Sequence, residues 1–125
     1  MGITKVKLII KNPQNLRLKM EGDFMVDSGA HYTVLTENFV KKLNLKPSFE
    51  QEFVLADGNT VKRPVGSAVI RYGDRELYVP VVLGEKQDES LLGVTTLEAF
   101  GLMLDPFRRK IYPSKLMLGQ LRYIR

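Results

Sequence analysis

The chain of 125 residues contains no cysteine, only one histidine, and no long apolar run. Without cysteine it has neither a disulfide framework nor a thiol nucleophile. Its longest apolar stretches, such as Leu77–Leu83 and Leu116–Leu118, are far shorter than the roughly 20 residues of a membrane-spanning helix. The sequence therefore argues against disulfide-stapled proteins, thiol enzymes and helical membrane proteins, and we expect no membrane partner.

Targeting signals are also lacking. The segment Met1–Lys7 carries charges throughout and has no uninterrupted apolar core, so we expect no signal peptide. Val6 stands where myristoylation of Gly2 would require Ser or Thr. Nothing directs export, and we expect the protein in the cytoplasm.

Basic residues outnumber acidic ones by 19 to 14, which gives a net charge of +5. Such an excess can indicate nucleic-acid binding. The basic residues are scattered, however, as at Lys41-Lys42, Lys62-Arg63 and Arg108-Arg109-Lys110, and no basic block alternates with aromatic residues. We therefore expect solvated surface and no nucleic-acid partner. The alternative, a nucleic-acid-binding barrel, would lose affinity steeply with salt.

Alternation of apolar and polar residues dominates the chain and predicts short strands. Turns are predicted at Asn12–Asn15 and at Glu21-Gly22-Asp23. Asp57-Gly58, between the β-prone runs Glu52–Ala56 and Thr60–Arg63, predicts a tight hairpin in which both central residues tolerate positive φ. About nine short strands and two minor helices favour an all-β fold, a small closed β-barrel.

Two short helices interrupt this pattern. The first is predicted at Asn38–Leu43, with Thr36 as its N-cap. The second is predicted from Thr95-Thr96-Leu97-Glu98, which has the sequence of a capping box. Gly101 is expected to end that helix.

One acidic motif stands out. Asp27-Ser28-Gly29-Ala30 directly follows the apolar run Phe24–Val26 and occurs once. A lone acid after a strand is usually a turn former or a helix cap. Here three apolar residues place the acid at the mouth of the core, and Gly29 and Ala30 leave room for another backbone to approach closely.

The order of motifs resembles that of the retroviral-type (retropepsin-like) aspartic proteases. Val26–Ala30 is followed by Thr33-Val34-Leu35, a short helix, the hairpin at Asp57-Gly58, and Leu91-Leu92-Gly93 before a helix. The chain looks most similar to the small bacterial and archaeal aspartyl proteases of that clan, over about residues 3–106. The resemblance implies an acid-protease-like barrel with a flap hairpin, in one domain over residues 1–125. Residues 107–125 would be a C-terminal strand extension.

The resemblance also implies an activity, the hydrolysis of peptide bonds by an aspartic endopeptidase. Two adjacent carboxylates share a proton, so that one activates water and the other acts as an acid. A chain with one such motif would supply one Asp27 to a homodimer, in which the second copy completes the dyad. Polypeptides would be the substrates, and neither a metal nor another cofactor is needed.

Further site residues follow from the same resemblance. Ser28, Gly29, Leu92 and Gly93 would support the catalytic loop, with Leu91 packing beside them. The residues expected to contact substrate are Ala30, His31, Ala56, Asp57 and Gly58.

The sequence departs from the family in places. Retroviral members commonly carry an acid after the Asp-Thr-Gly-Ala motif and an Arg after the later Gly, where this chain has His31 and Val94. Its flap tip also lacks the glycine-rich sequence of those enzymes. The main alternative is therefore a non-catalytic dimeric peptide-binding module on the same fold. A serine hydrolase built on Ser28 and His31 lacks the Gly-x-Ser-x-Gly elbow, and one histidine is too few for zinc.

Overall fold

The computed structural model describes residues 3–116 and 118–119. In this part of the chain there are nine strands and two helices, which confirms the predicted all-β fold with two short helices. The strands are β1 (Lys5–Asn12), β2 (Asn15–Val26), β3 (Thr33–Leu35), β4 (Pro47–Val54), β5 (Thr60–Tyr72), β6 (Arg75–Leu83), β7 (Leu91–Leu92), β8 (Leu102–Asp105) and β9 (Lys110–Pro113). The helices are α1 (Glu37–Lys42) and α2 (Val94–Phe100).

Seven strands form one sheet in the order β1-β2-β7-β3-β6-β5-β4. An additional antiparallel pairing between β1 and β5 joins Ile9–Lys11 to Val69–Arg71 and closes six of these strands into a ring. Strand β4 lies outside the ring and pairs with the first half of β5. The β4–β5 hairpin therefore projects from the ring.

Apolar side chains fill the interior of the ring. The core includes Leu8, Ile10, Phe24, Leu35 and Ile70, all of which have no exposed surface. They come from β1, β2, β3 and β5, because alternate residues of each strand point inward. This packing fixes the ends of β2 and β7, where the acidic motif lies.

The turn predicted at Glu21-Gly22-Asp23 is wrong. Strand β2 runs through it without a break, and Gly22 pairs with Leu8 of β1. The glycine is needed for packing, because a Cβ atom there would lie 2.6 Å from Cζ of Phe39. A small residue that makes room for an aromatic ring has been mistaken for a turn residue.

Helix α1 lies within one residue of its predicted bounds, with Thr36 at the N-cap but without a side-chain capping bond. The capping box predicted for the second helix is wrong, since α2 begins at Val94 with Gly93 at its N-cap. The amides of Val94 and Thr95 instead donate to backbone carbonyls of residues 30 and 31, at 2.8 and 2.9 Å. Gly101 ends α2 in the left-handed conformation, as predicted.

The C-terminal region forms a separate two-stranded sheet of β8 and β9. Leu104 and Ile111 of this hairpin pack against the core. Within the C-terminal strand extension predicted over residues 107–125, strand β9 is observed at Lys110–Pro113, while residues 117 and 120–125 lie outside the described residues. No helix in the described part of the chain is both long and apolar enough to cross a membrane.

Candidate active site

The end of strand β2 delivers Asp27 into a tight loop, residues 27–32, which we call the Asp loop. The Asp27 amide donates to the carbonyl of Leu92 at 3.0 Å. The Gly29 amide donates to Oδ1 of Asp27 at 2.8 Å, and the Ala30 amide donates to the Asp27 carbonyl at 3.1 Å. One backbone amide therefore orients the carboxylate of the half-buried Asp27, and two backbone bonds fix the main chain that carries it.

Strand β7 lies directly beside the end of β2. The two strands are parallel, with Met25 opposite Leu91 and Val26 opposite Leu92. Gly93 follows, and a Cβ atom there would lie 2.4 Å from both the carbonyl carbon and the carbonyl oxygen of Tyr32. Only glycine allows β7 and the Asp loop to approach this closely.

Two buried threonines tie α2 to the strand that follows the Asp loop. The hydroxyls of Thr33 and Thr96 lie 2.6 Å apart, and neither side chain is exposed to solvent. Thr33 also accepts a hydrogen bond from the Gly93 amide at 3.0 Å. Sequence reasoning missed this pair, and the only local signal was a polar residue at an inward-facing position of a short strand.

Asp27 opens onto a groove of about 850 Å³ between the Asp loop and β4. The groove is lined by Asp27, Gly29, Ala30, His31, Tyr32, Val34, Gln51, Glu52, Phe53, Val54, Leu55, Ala56, Val82, Asp88 and Leu91. The structure thus brings four predicted site residues, Gly29, Ala30, His31 and Ala56, together with Asp27. Leu92 and Gly93 lie behind the Asp loop, and Ser28 is exposed without lining the groove.

Asp57 and Gly58 form the tip of the β4–β5 hairpin and do not line the groove of their own chain. The loop between the strands is longer than predicted, covering residues 55–59, and only Gly58 has positive φ, at 89°. The Leu55 amide donates to the Asn59 carbonyl at 2.7 Å, and the Asn59 amide donates to Oδ1 of Asp57 at 2.9 Å. Residues 54–60 are all exposed, so the tip is held only by its own hydrogen bonds.

Aromatic contacts connect the Asp loop to this hairpin. The rings of His31 and Tyr32 lie 4.8 Å apart edge to face, and those of Tyr32 and Phe53 lie 6.1 Å apart in a similar arrangement. His31 is exposed and lines the groove. His31 lines the groove and Ser28 does not, which gives no support to a serine hydrolase.

An ion pair at the groove was not predicted. Nε of Arg63 donates to Oδ2 of Asp88 at 2.7 Å, and Nη2 donates to Oδ1 at 3.2 Å. These hydrogen bonds hold the pKa of the Asp88 carboxyl below its usual range, and a bond from the Glu85 amide adds to this effect while partial burial opposes it. The two residues are 25 positions apart, Arg63 in strand β5 and Asp88 in the loop between β6 and β7. No local sequence pattern could therefore have predicted the pair.

No group of three or more His, Asp or Glu side chains that could hold a metal ion occurs within the residues that the structure describes.

Comparison with known proteins agrees with this arrangement. Residues 19–99 match the family described as "gag-polyprotein putative aspartyl protease". A solved structure of a retropepsin-like aspartic protease from Rickettsia conorii is 28% identical, with a TM-score of 0.54 over 83% of this chain and 85% of that chain. No curated protein matches the sequence significantly.

Two more distant structures share the fold. The EIAV protease in complex with the inhibitor HBY-793 is 16% identical, with a TM-score of 0.57 over 94% of both chains. The foamy viral protease-reverse transcriptase is 17% identical, with a TM-score of 0.54 over 90% of this chain and 13% of that chain. Since the family match spans more than half of the sequence and includes Asp27 and Leu91-Leu92-Gly93, the chain belongs to the retropepsin-like aspartic protease family and is an aspartic-type endopeptidase.

Proposed function

We propose that the protein is a homodimeric endopeptidase in which Asp27 of each chain forms a catalytic dyad. The observation that carries the proposal is the single Asp27, oriented by backbone hydrogen bonds at the mouth of the groove. Activation of water requires a base while a protonated acid donates to the scissile carbonyl oxygen at the same time. One carboxylate cannot fill both roles, so a second copy of the chain has to supply the other.

The dyad would work through a shared proton. Two carboxylates at close range do not both ionise, and they titrate as a pair. The ionised member takes a proton from water, which attacks the scissile carbonyl carbon, while the protonated member donates a hydrogen bond to the carbonyl oxygen. The carboxyl that took the proton from water then gives it to the nitrogen of the tetrahedral intermediate, and the C–N bond breaks as the carbonyl group re-forms.

The other site residues support this step. Gly29, beside the carboxylate, leaves space for substrate backbone, and Ser28 is exposed where a second Asp loop could approach. Leu92 and Gly93 hold the Asp loop from behind. The hairpin tip, with Ala56, Asp57 and Gly58, would close over the bound peptide and so exclude water. The peptide could lie in the groove of the same chain or in that of the partner chain.

The groove favours an extended polypeptide as substrate. Strand β4 forms one wall of the groove and also lies at the edge of the sheet. A peptide can add to such an edge through backbone hydrogen bonds. Val34, Phe53 and Leu91 supply an apolar lining for its side chains. A cytoplasmic location and a single domain over residues 1–125 stay predictions from the sequence.

The decisive test is Asp27→Asn, which removes the titratable group and keeps the size of the side chain. We expect cleavage of a mixed peptide library to fall by at least about 100-fold, the scale of general acid–base catalysis. The variant should sediment as the same dimer as the wild type in analytical ultracentrifugation, with the same circular dichroism spectrum.

Two outcomes would contradict the proposal. Cleavage retained by Asp27→Asn would exclude the dyad mechanism. A wild-type dimer that binds peptides without cleaving them at any pH would instead support the non-catalytic module, which His31, Val94 and the altered flap tip make the main competitor.

A further inference from the structure

Arg63 and Asp88 join two parts of the chain that border the groove from different directions. Arg63 lies in β5, directly opposite Gln51 of β4, and Gln51 lines the groove. Asp88 lies in the loop between β6 and β7, residues 84–90, which we call the wall loop, and it lines the groove itself. The ion pair therefore connects the middle of the β4–β5 hairpin to the wall loop.

The geometry of the pair is more specific than that of a surface salt bridge. Both terminal oxygens of Asp88 accept from Arg63, at 2.7 and 3.2 Å. The Arg63 side chain is only 12% exposed and that of Asp88 only 23%. A paired arrangement of this kind is stronger and more directional than a single exposed contact.

Each partner is also held by its own surroundings. Oδ2 of Asp88 accepts a second hydrogen bond, from the Glu85 amide at 2.7 Å, and Nη1 of Arg63 donates to the Lys62 carbonyl at 2.9 Å. The Glu85 carboxylate lies 3.7 Å from Nη2 of Arg63. Asp88 thus organises the wall loop while Arg63 ties that loop to β5.

The far end of the wall loop is attached to the strand that follows the Asp loop. The Gly84 amide donates to the Leu35 carbonyl at 2.8 Å, and a Cβ atom on Gly84 would lie 2.5 Å from that oxygen. The loop is therefore fixed to β3 at Gly84 and to β5 at Asp88. The exposed tip of the hairpin, residues 54–60, lies beyond these attachments.

We propose that Arg63 and Asp88 are positioning residues that anchor the middle of the β4–β5 hairpin to the wall loop. The anchor sets the width of the groove beside Gln51 and confines the movement that admits substrate to the tip. Neither residue takes part in the bond-breaking step. The consequence for catalysis rests on the proposed peptidase function, whereas the mechanical anchor does not.

The test compares the anchor with a matched ion pair remote from the groove. Lys11 and Glu76 lie 2.7 Å apart, with side chains 17% and 31% exposed, and neither lines the groove. We would measure hydrogen exchange of backbone amides in wild type, Arg63→Met, Asp88→Asn and the control Glu76→Gln. The charge-swapped double variant Arg63→Asp with Asp88→Arg tests whether pairing itself is what matters.

Loss of the anchor should speed exchange at the Glu85 and Asp88 amides and in residues 53–62 together. The expected acceleration is about tenfold, the size that follows from the loss of a charge-assisted hydrogen bond. Glu76→Gln should leave both segments unchanged. The double variant should restore part of the protection, although the nearby Glu85 carboxylate favours the original orientation.

Kinetics provide the second readout. In an active enzyme, Arg63→Met should raise KM for an extended peptide by about three- to tenfold and change kcat by less than about twofold, because it disturbs binding rather than the dyad. A fall in kcat with unchanged KM would overturn the positioning role. Exchange that accelerates at the wall loop alone, or equally in Glu76→Gln, would overturn the anchor.

The two proposals fail in different ways. If wild type cleaves nothing but both segments respond to Arg63→Met, the peptidase proposal fails and the anchor stands. If wild type cleaves and Arg63→Met changes neither exchange nor KM, the anchor fails and the peptidase proposal stands.

Discussion

The Asp loop and the tip of the β4–β5 hairpin, on opposite sides of the groove, differ in how they are held. Around the Asp loop, backbone bonds to Leu92 and Ala30 combine with the buried hydroxyls of Thr33 and Thr96. The hairpin tip, residues 54–60, is exposed throughout and bonded only to itself. The acid is therefore held in place by its surroundings, whereas the hairpin tip has no hydrogen bonds to other described parts of the chain. This division suits a site whose carboxylate has to keep one orientation while a long substrate enters and leaves.

Gly93→Ala should have the largest effect, because the added methyl group would collide with the Asp loop. Its Cβ would lie 2.4 Å from backbone atoms of Tyr32, and backbone cannot move aside as a side chain can. We expect the free energy of unfolding to fall by about 3 kcal/mol or more, the upper range for overpacking, and cleavage to be lost. Urea denaturation measures the first effect. A drop below about 1 kcal/mol would show that the Asp loop is more compliant than the contact implies.

Thr33→Val should be the next largest. It removes the hydroxyl that bonds both Thr96 and the Gly93 amide. Leaving buried polar groups unpaired costs about 1–3 kcal/mol. Thr96→Val is the matched control, since it keeps the bond from Gly93 to Thr33. Equal losses of unfolding free energy in the two variants would mean that the Gly93 bond contributes nothing.

Gly58→Ala tests the hairpin tip and should lower the free energy of unfolding by less. Gly58 has a φ of 89°, which alanine adopts with strain, but open space surrounds it. The penalty for alanine at positive φ is about 1–2 kcal/mol, and an exposed tip can relax part of it. We expect little change in unfolding midpoint and a rise in KM. A destabilisation equal to that of Gly93→Ala would contradict the inference that the hairpin tip is held less tightly than the Asp loop.

The smallest effect we expect concerns pH. The lowered pKa of Asp88 arises first from its hydrogen bond to Arg63. Its folded value lies below that of an unfolded aspartate, about 3.9. The pair therefore stabilises the fold above that pH and is lost as pH falls through the folded value. Protection factors, which correct for the base-catalysed intrinsic rate of amide exchange, should fall at the wall loop on acidification in wild type and in Glu76→Gln, but depend less on pH in Asp88→Asn.

Local patterns in the sequence were sufficient for the elements that depend on local chemistry. The α1 helix, the end of α2 at Gly101 and the strand leading to Asp27 follow from periodicity and from glycine at positive φ. The predictions were wrong where a residue's role depends on a contact distant in sequence. Gly22 leaves room for the ring of Phe39 in α1. The first amides of α2 donate to carbonyls of the Asp loop rather than to the Thr95 side chain.

The sequence by itself determined the fold class, the family and the acid that opens onto the groove, because these depend on short motifs and their order. Tertiary structure alone decided how that acid is held and what faces it. The Thr33–Thr96 pair spans 63 positions and the Arg63–Asp88 pair spans 25. Contacts over such separations form only when the ring of strands closes, so no window along the chain contains both partners.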